Sequence, residues 1–266
     1  MKASTDSPTL VLVLPSAEMP TWCQLVQQAA GAVFACKVYS EGLHYITRLA
    51  DDRAALILVH ADALDDWRFW IVTPKTSPAT RRIPIVVVSA QAETRRAALK
   101  NGADFALTAD ELAAQLARLL AVHARVPQPE KVEEMDSQCA EALPPAALEG
   151  VRRFNAGEYY KQHDLFEALW VEEAGAVRDL YRAILQVGVA YYQIERGNAR
   201  GAHKMLLRSV QWLTLLPDVC RGVDIRQLRE DSYRVRAELE RISDVADFDK
   251  TLLKPLRLVN ASHEVK

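Results

Sequence analysis

The 266-residue sequence has only four cysteines, at positions 23, 36, 139 and 220, and they lie far apart. There is no CxxC pair and no dense cysteine spacing, which argues against a zinc site built on thiolates and against a disulfide-rich secreted scaffold. We therefore expect four reduced thiols in a cytoplasmic protein.

Long apolar runs are also missing. The first apolar run, LVLVL at residues 10–14, is too short for the hydrophobic part of a signal peptide and follows a polar leader. No segment approaches the roughly 20 apolar residues that cross a bilayer. We expect neither membrane insertion nor export.

Blocks of like charge are absent as well. The formal net charge is -2, the pI is near 6.3, and the basic residues are scattered along the chain. Such a distribution gives no general attraction to phosphate backbones or to anionic lipid, so nucleic acid is not an expected partner. The chain also lacks a glycine-rich phosphate loop and a nucleophile elbow.

Short β-branched runs alternate with helical stretches up to about residue 125. The five strand candidates are TLVLVL, VFACKVY, AALILVHA, IPIVVVS and DFALT. Because these runs are continuously apolar, they predict a parallel sheet that is covered by helices on both faces. We assign residues 1–126 to an α/β domain with a doubly wound, five-stranded parallel sheet.

The composition changes at residues 127–143, PQPEKVEEMDSQCAEAL, which hold five acidic residues and one lysine. Such a segment has little apolar surface to bury, and it predicts a solvated acidic linker. Residues 144–266 contain no strand candidate, and we assign them to an all-α helical bundle domain. The predicted helices span residues 146–155, 158–173, 176–196, 199–216 and 224–242.

The segments ATRRIPIVVVSA and ALKNGADFALT, with the order of the elements, resemble the receiver domain of response regulators. The resemblance runs from residue 9 to about 122 and implies the flavodoxin-like fold of CheY-like receivers. It also implies a phosphoryl-accepting aspartate after the third strand and an acidic pair that holds magnesium after the first. A Ser/Thr is implied at the end of the fourth strand and a lysine at the end of the fifth.

This chain departs from the receiver pattern at most of these positions. The acidic pair falls on Leu14 and Pro15, the acceptor on His60, and the lysine on Ala109, while Ser89 keeps the family identity. Without the magnesium pair, the electrostatic stabilisation of phosphoryl transfer is missing. The pattern favours a pseudo-receiver.

One carboxylate near the acceptor position keeps an alternative open. Asp62 lies two residues after His60 in the sequence. A shifted acceptor at this position would make the chain a response regulator that is phosphorylated at Asp62.

The stretch FNAGEYYKQHDLFEALW, residues 154–170, places a histidine and a glutamate four residues apart on a predicted helix. Residues at this spacing share one side of a helix, so Tyr159, His163, Glu167 and Trp170 or Val171 form one stripe. A histidine and a carboxylate that are partly buried together need partners, and the following helix offers polar positions. These positions are Arg178, Arg182, Gln186 and Gln193. A structural or partner-binding polar network, a metal site and a metal-free catalytic pair are the three interpretations.

The same stretch, with YRAILQVGVAYYQIERGNARGAHKML after it, resembles the family called domain of unknown function 309 from about residue 148 to 216. Members are often labelled predicted metal-dependent hydrolases. The resemblance carries over these positions: His163, Glu167, Trp170, Gln186, Gly197, Asn198, Arg200, Gly201 and Ala202.

A hydrolytic metal site needs about three protein ligands and an open position for water. The sequence offers His163 and Glu167, with His203 or Glu195 as a further ligand. Gln193 stands where many family members have a histidine, and an amide oxygen is a poor ligand for a transition metal. We therefore expect no cofactor, with zinc or manganese as the alternative.

The leading hypothesis is a non-catalytic regulatory or scaffold protein, in which a phosphorylation-incompetent receiver-like domain is joined to a helical module that binds a partner or ligand. A metal-dependent hydrolase that uses His163 and Glu167 is the alternative, and a response regulator phosphorylated at Asp62 is the second. We expect a protein partner, and the family resemblance also suggests a homodimer. The predicted binding groove consists of Tyr159, His163, Glu167, Trp170, Arg182, Gln186, Gln193, Asn198 and Arg200.

Overall fold

A computed structural model describes residues 7–15 and 19–259, and the chain forms two compact units, Met1–Val126 and Pro127–Lys266. Among the residues it describes, we find no helix with the length and apolar character that spanning a membrane requires.

The first unit is a parallel sheet with helices between its strands. The strands are β1 Thr9–Val13, β2 Ala35–Tyr39, β3 Ala54–His60, β4 Ile85–Val88 and β5 Phe105–Leu107. The helices are α1 Thr21–Ala30, α2 Tyr45–Asp51, α3 Phe69–Thr76, α4 Ala92–Lys100 and α5 Ala109–Arg118. All neighbouring strands are parallel, in the order β2-β1-β3-β4-β5. This order is the flavodoxin-like arrangement, and the predicted α/β fold is confirmed.

The alternation of side chains along each strand builds two cores, one on each face of the sheet. Leu10 and Leu12 of β1 lie in one core, whereas Val11 and Val13 lie in the other. Because successive strand residues point to opposite faces, a strand that is apolar at every position needs a helical cover on both sides. The continuous apolar runs of the sequence therefore specify the layering.

The second unit is built around one long, mostly buried helix. Its helices are α6 Pro129–Cys139, α7 Pro145–Asn155, α8 Tyr159–Glu172, α9 Arg178–Glu195, α10 Ala199–Leu213 and α11 Ile225–Arg241. Helix α9 packs against both α8 and α10. The last five of these helices confirm the five predicted ones.

Two glycines reverse the chain within this unit. Gly157 follows α7 and Gly197 follows α9, with φ values of 75° and 76°. A residue after a helix commonly adopts this left-handed conformation, which glycine reaches without a steric penalty. Helices α7 and α8, and likewise α9 and α10, therefore form two helix hairpins.

Residues 127–143 do not form the solvated linker that their acidic composition predicts. Helix α6 occupies most of the segment, and Met135 and Cys139 are buried in the core of the second unit. Pro129 fits the first turn, where a missing backbone N–H leaves no helical hydrogen bond unmade. Only these two residues of the helix are buried, and a segment with two buried positions has the overall composition of a linker.

The expectation of four reduced thiols is wrong for one pair. Cys139 and Cys220 form a disulfide across 81 residues of sequence. The spacing of two cysteines in the sequence does not predict a disulfide between distant positions, because it does not show which residues lie close together in the fold. Cys23 and Cys36 are free, and burial raises the pKa of both thiols, that of Cys23 to about 11.

A small hairpin interrupts the helices of the second unit. Strands β6 Val219–Cys220 and β7 Val223–Asp224 pair in antiparallel fashion. The two residues between them, Arg221 and Gly222, have φ values of 49° and 77°. Positive φ at both central residues is what a two-residue type I′ turn requires. The hairpin was not predicted, because strands of two residues leave no periodic pattern in the sequence.

Candidate functional site

Helix α8 turns its motif residues toward different environments. Tyr159 and Phe166 are buried, Trp170 and His163 are partly exposed, and Glu167 is exposed. A step of four residues advances about 400° around an α-helix, so a stripe at this spacing drifts by about 40° per step. Starting from buried Tyr159, His163 reaches the edge of the interface and Glu167 faces solvent, whereas Trp170 returns inward.

His163 and Glu167 are not hydrogen-bonded to each other. His163 Nδ1 lies 3.1 Å from Asp164 Oδ1, and its side chain is 31% exposed. Within the described parts of the chain, Glu167 forms no hydrogen bond or ion pair. Neither side chain polarises the other, as a catalytic pair requires.

Three helices meet at a tryptophan–arginine–tryptophan stack. The guanidinium carbon of Arg182 lies 3.9 Å from the ring centroid of Trp212 and 4.9 Å from that of Trp170. Trp212 Nε1 donates a hydrogen bond to Gln186 Oε1 at 3.2 Å. An arginine over an aromatic face gains electrostatic attraction, most strongly over tryptophan. The stack joins α8, α9 and α10.

Trp212 was not identified as a site residue from the sequence. Its side chain is 8% exposed, and it lies beyond the GNxRGA motif that drew attention to α10. The only signal in the sequence is a tryptophan in the apolar stretch that follows the motif. Its partners, Arg182 and Gln186, were identified as polar positions on a helix that is otherwise apolar.

The GNARGA stretch forms a helix cap. Asn198 Oδ1 accepts a hydrogen bond from Gly201 N at 2.9 Å, and Asn198 Nδ2 donates one to Gln193 Oε1 at 2.8 Å. This arrangement satisfies a backbone donor that the first turn of α10 leaves open. A Cβ at position 201 would lie 2.5 Å from Asn198 Nδ2, which explains the glycine. Arg200 is exposed on the same turn.

His203 contacts α11 and does not join His163. Its Nε2 lies 2.8 Å from Glu240 Oε1, and Arg236 Nε lies 3.8 Å from the same oxygen. In the described ranges, no three His, Cys, Asp or Glu side chains are placed to share a metal ion. Zinc or manganese at His163, Glu167 and His203 therefore does not fit the arrangement of donors.

Glu195 affects a neighbouring phenol. Burial, and after it the charge of Glu195, raises the pKa of Tyr159 to about 12. Tyr159 is thus neutral at physiological pH and acts as a packed aromatic residue, with its ring centroid 5.4 Å from that of Phe154.

The carboxyl edge of the sheet carries the predicted degenerate receiver positions. Leu14 is buried, Pro15 follows it, and Ala109 is the first residue of α5. The ring of His60 lies edge-on to Trp22, with centroids 5.9 Å apart. None of these side chains supplies the oxygen ligands that magnesium prefers.

Asp62 has both carboxylate oxygens engaged. Ser89 Oγ donates a hydrogen bond to Asp62 Oδ1, and Ala90 N donates one to Asp62 Oδ2 at 2.6 Å. Arg95 holds the same loop by donating to the backbone oxygens of Ser89 and Ala90 at 2.8 and 2.9 Å. The carboxylate thus ties the turn after β3 to the loop after β4.

By its fold, the chain is a two-unit protein, with a receiver-like α/β unit followed by a helical unit. Residues 147–205 match the family described as Domain of unknown function (DUF309), so the helical unit carries a DUF309 domain. An uncharacterized protein from Aquifex aeolicus (strain VF5) is 21% identical over 77 residues, which are 29% of this chain. The match covers 23% of that relative's length.

Two solved structures are similar to the first unit. A candidate response regulator from Chloroflexus aurantiacus J-10-fl is 15% identical, with a TM-score of 0.35, over 43% of this chain and 99% of that one. A response regulator in red light signaling of R. palustris is 19% identical, with a TM-score of 0.34, over 46% of this chain and 99% of that one. We assign the receiver-like fold of the first unit from its strand order, β2-β1-β3-β4-β5.

Proposed function

We propose that this chain is a non-catalytic regulatory or scaffold protein, in which a receiver-like domain that does not accept a phosphoryl group is joined to a DUF309 module that binds a partner. A cytoplasmic location belongs to the same proposal. The observation that carries it is that polar motif residues of the helical unit already form hydrogen bonds within that unit. Gln186 accepts from Trp212, and Asn198 bonds to both Gln193 and Gly201.

The receiver-like unit supports the same proposal. Asp62 already accepts two hydrogen bonds, from Ser89 and Ala90, and the magnesium positions hold Leu14 and Pro15. Hydrogen bonds to both oxygens lower the nucleophilicity of the carboxylate, and phosphoryl transfer also needs a cation to offset the charge of the incoming group. The domain then acts through its surface.

The exposed face of α8 is the surface that we propose for a protein partner. Tyr160 and Val171 are 63% and 69% exposed, and they lie eleven positions apart. Eleven residues amount to about three turns, so both side chains lie on one face, with Asp164 and Glu167 between them. Two apolar contacts around an acidic centre suit a partner with basic and apolar side chains, and a second copy of this chain is the alternative partner.

Purified, untagged protein is expected to contain less than about one tenth of an equivalent of zinc or manganese, because a closed site needs more ligands than this helix provides. Elemental analysis after dialysis measures the content. His163→Ala should leave it unchanged, with Lys161→Ala as the control on the same helix, since Lys161 pairs with Glu158. A stoichiometric metal that is lost only in His163→Ala would instead support the metal-dependent hydrolase that uses His163 and Glu167. Turnover of phosphoesters, esters or amides that disappears in Glu167→Gln would also support that hydrolase.

Incubation of the protein with a small phosphodonor and magnesium is expected to leave its mass unchanged. Asp62→Asn gives the control spectrum, because the amide retains the side-chain volume and cannot be phosphorylated. A phosphoryl adduct that forms on the native chain but not on Asp62→Asn would contradict the pseudo-receiver. Intact-mass spectrometry under neutral conditions is the measurement, since it detects an adduct without a prior assumption about its site.

A further inference from the structure

Helix α6 has few contacts of its own that could hold it in place. Of its eleven residues, only Met135 and Cys139 are buried. A helix of this length is marginal in water, and ordering its backbone opposes docking at every residue. One buried methionine offsets only a small part of that entropy.

The carboxyl end of α6 is fixed by bonds to the β6–β7 hairpin. The Cys139–Cys220 disulfide is the covalent part. Arg221 N donates to Cys139 O at 2.6 Å, its Nε donates to Gln138 O at 3.1 Å, and its Nη2 donates to Glu141 Oε2 at 2.7 Å. A reversible covalent bond and a buried arginine thus act at the same end of the helix.

In this position, side chains of α6 accept hydrogen bonds from the backbone amides that precede α9. Val177 N donates to Gln138 Oε1 at 2.8 Å, and Ala176 N donates to Glu134 Oε1 at 3.2 Å. These acceptors satisfy backbone donors that have no partner within a helix end. A cleft of about 300 Å³ lies alongside, with Lys131, Val132 and Met135 of α6 on one side and Arg178 and Asp179 of α9 on the other.

We propose that α6 is a strap latched by the redox state of Cys139 and Cys220. With the disulfide formed, α6 belongs to the helical unit and covers the start of α9. With the disulfide reduced, residues 127–143 become the solvated connection that their acidic composition favours. The cleft then loses the wall that α6 provides, and the backbone amides of Ala176 and Val177 are uncovered.

The chemical step requires a dithiol reductant. Its thiolate attacks Cys139 Sγ, which belongs to the more accessible residue of the pair, 6% exposed against 0% for Cys220. The Sγ–Sγ bond breaks, and Cys220 leaves as a thiolate that takes up a proton. The second thiol of the reductant displaces Cys139, so the reductant becomes a disulfide and both cysteines become thiols. Two electrons and two protons pass from the reductant to the protein.

Hydrogen exchange of the full-length chain, before and after treatment with dithiothreitol, tests the strap. We expect amides of residues 130–139 to exchange roughly tenfold faster, or more, in the reduced protein, while amides of α9 beyond its first turn keep their protection. Trypsin cleavage after Lys131 should accelerate in parallel. Reoxidation should restore the protection, which separates release of the strap from irreversible unfolding.

Three variants and one thiol count complete the test. Cys139→Ser and Cys220→Ser should each exchange like the reduced protein without any reductant. The Cys23→Ser/Cys36→Ser double variant should respond as the native chain does, because those thiols are free. Alkylation of the native chain, unfolded without reductant, should label two thiols. Labelling of four thiols, or equal exchange of residues 130–139 in both redox states, would overturn the proposal.

Discussion

Replacing Trp212 by alanine is expected to lower the free energy of unfolding by about 3–5 kcal/mol, the range for a large aromatic residue in a core. The indole is 8% exposed, stacks on Arg182 and donates to Gln186. Its removal leaves a cavity and deprives a buried amide oxygen of its donor, and it also exposes one face of the arginine. Urea unfolding of the full-length chain, followed by far-UV circular dichroism and analysed for the helical unit, measures the change in the free energy of unfolding.

Trp212→Phe separates the two roles of the indole. The smaller ring still offers Arg182 an aromatic face, but it leaves Gln186 Oε1 without its donor. We expect this variant to lose about half as much stability as Trp212→Ala, since a buried group without its hydrogen bond costs about 1–3 kcal/mol. If Trp212→Ala destabilised the protein by less than about 1 kcal/mol, the stack would not be a structural element. Trp170 and Arg182 would then again be candidates for ligand contact.

The stack shows why part of the predicted groove has a structural role. Arg182 and Gln186 stand out in the sequence because they are polar residues within an apolar helix, and both do have a partner in the structure. Their partner, however, lies 26 residues beyond Gln186 on another helix. Periodicity identifies which residues share a helix face, but it does not identify which residue of a second helix they contact.

The fold of both units could largely be predicted from the sequence. Runs such as LVLVL and IVVV encode buried parallel strands, and Gly157 and Gly197 mark the helix ends at which the structure has positive φ. These signals are local, because each depends on residues within a few positions of one another. The flavodoxin-like fold of the first unit was expected from the family resemblance, and the observed strand order confirms it.

The errors concern contacts between distant parts of the chain. Helix α6 was missed because an acidic segment with two buried residues has the composition of a linker. The Cys139–Cys220 disulfide was missed because the two residues lie 81 positions apart. Both errors have one cause, since the disulfide and Arg221 supply the contacts that the segment's own sequence does not specify.

At the candidate site, the four-residue spacing of His163 and Glu167 predicts that both residues are partly buried, but only His163 is. Spacing placed both on one helix face, and the rotation of α8 then left Glu167 in solvent and brought Gln162, which was not singled out, fully into the core. A drift of about 40° per four residues is enough to separate a buried from an exposed position within two steps. The residues of α8 that face the core are determined by how α8 packs against α9, which the spacing within α8 does not show.

Gly188→Ala is expected to reduce stability by about 2–3 kcal/mol, although alanine has the higher helix propensity. Gly188 is buried in α9, and a Cβ there would lie 2.8 Å from Gln162 Cδ and closer still to Gln162 Oε1. Gln162 is 0% exposed, so the amide has little room to move away. Denaturant unfolding of the full-length chain, analysed for the helical unit, measures the change.

The Gln162→Ala/Gly188→Ala double variant is the control for this contact. Both amide atoms of Gln162 are buried without a hydrogen-bond partner within the described residues, so its truncation alone should change stability by less than about 1 kcal/mol. With the amide gone, the added methyl group occupies vacated space, and alanine contributes about 0.5–1 kcal/mol through its helix propensity. The double variant should therefore be more stable than Gly188→Ala alone, with a coupling energy of about 2 kcal/mol. Additive effects of the two substitutions would mean that α8 and α9 do not pack through Gln162 and Gly188.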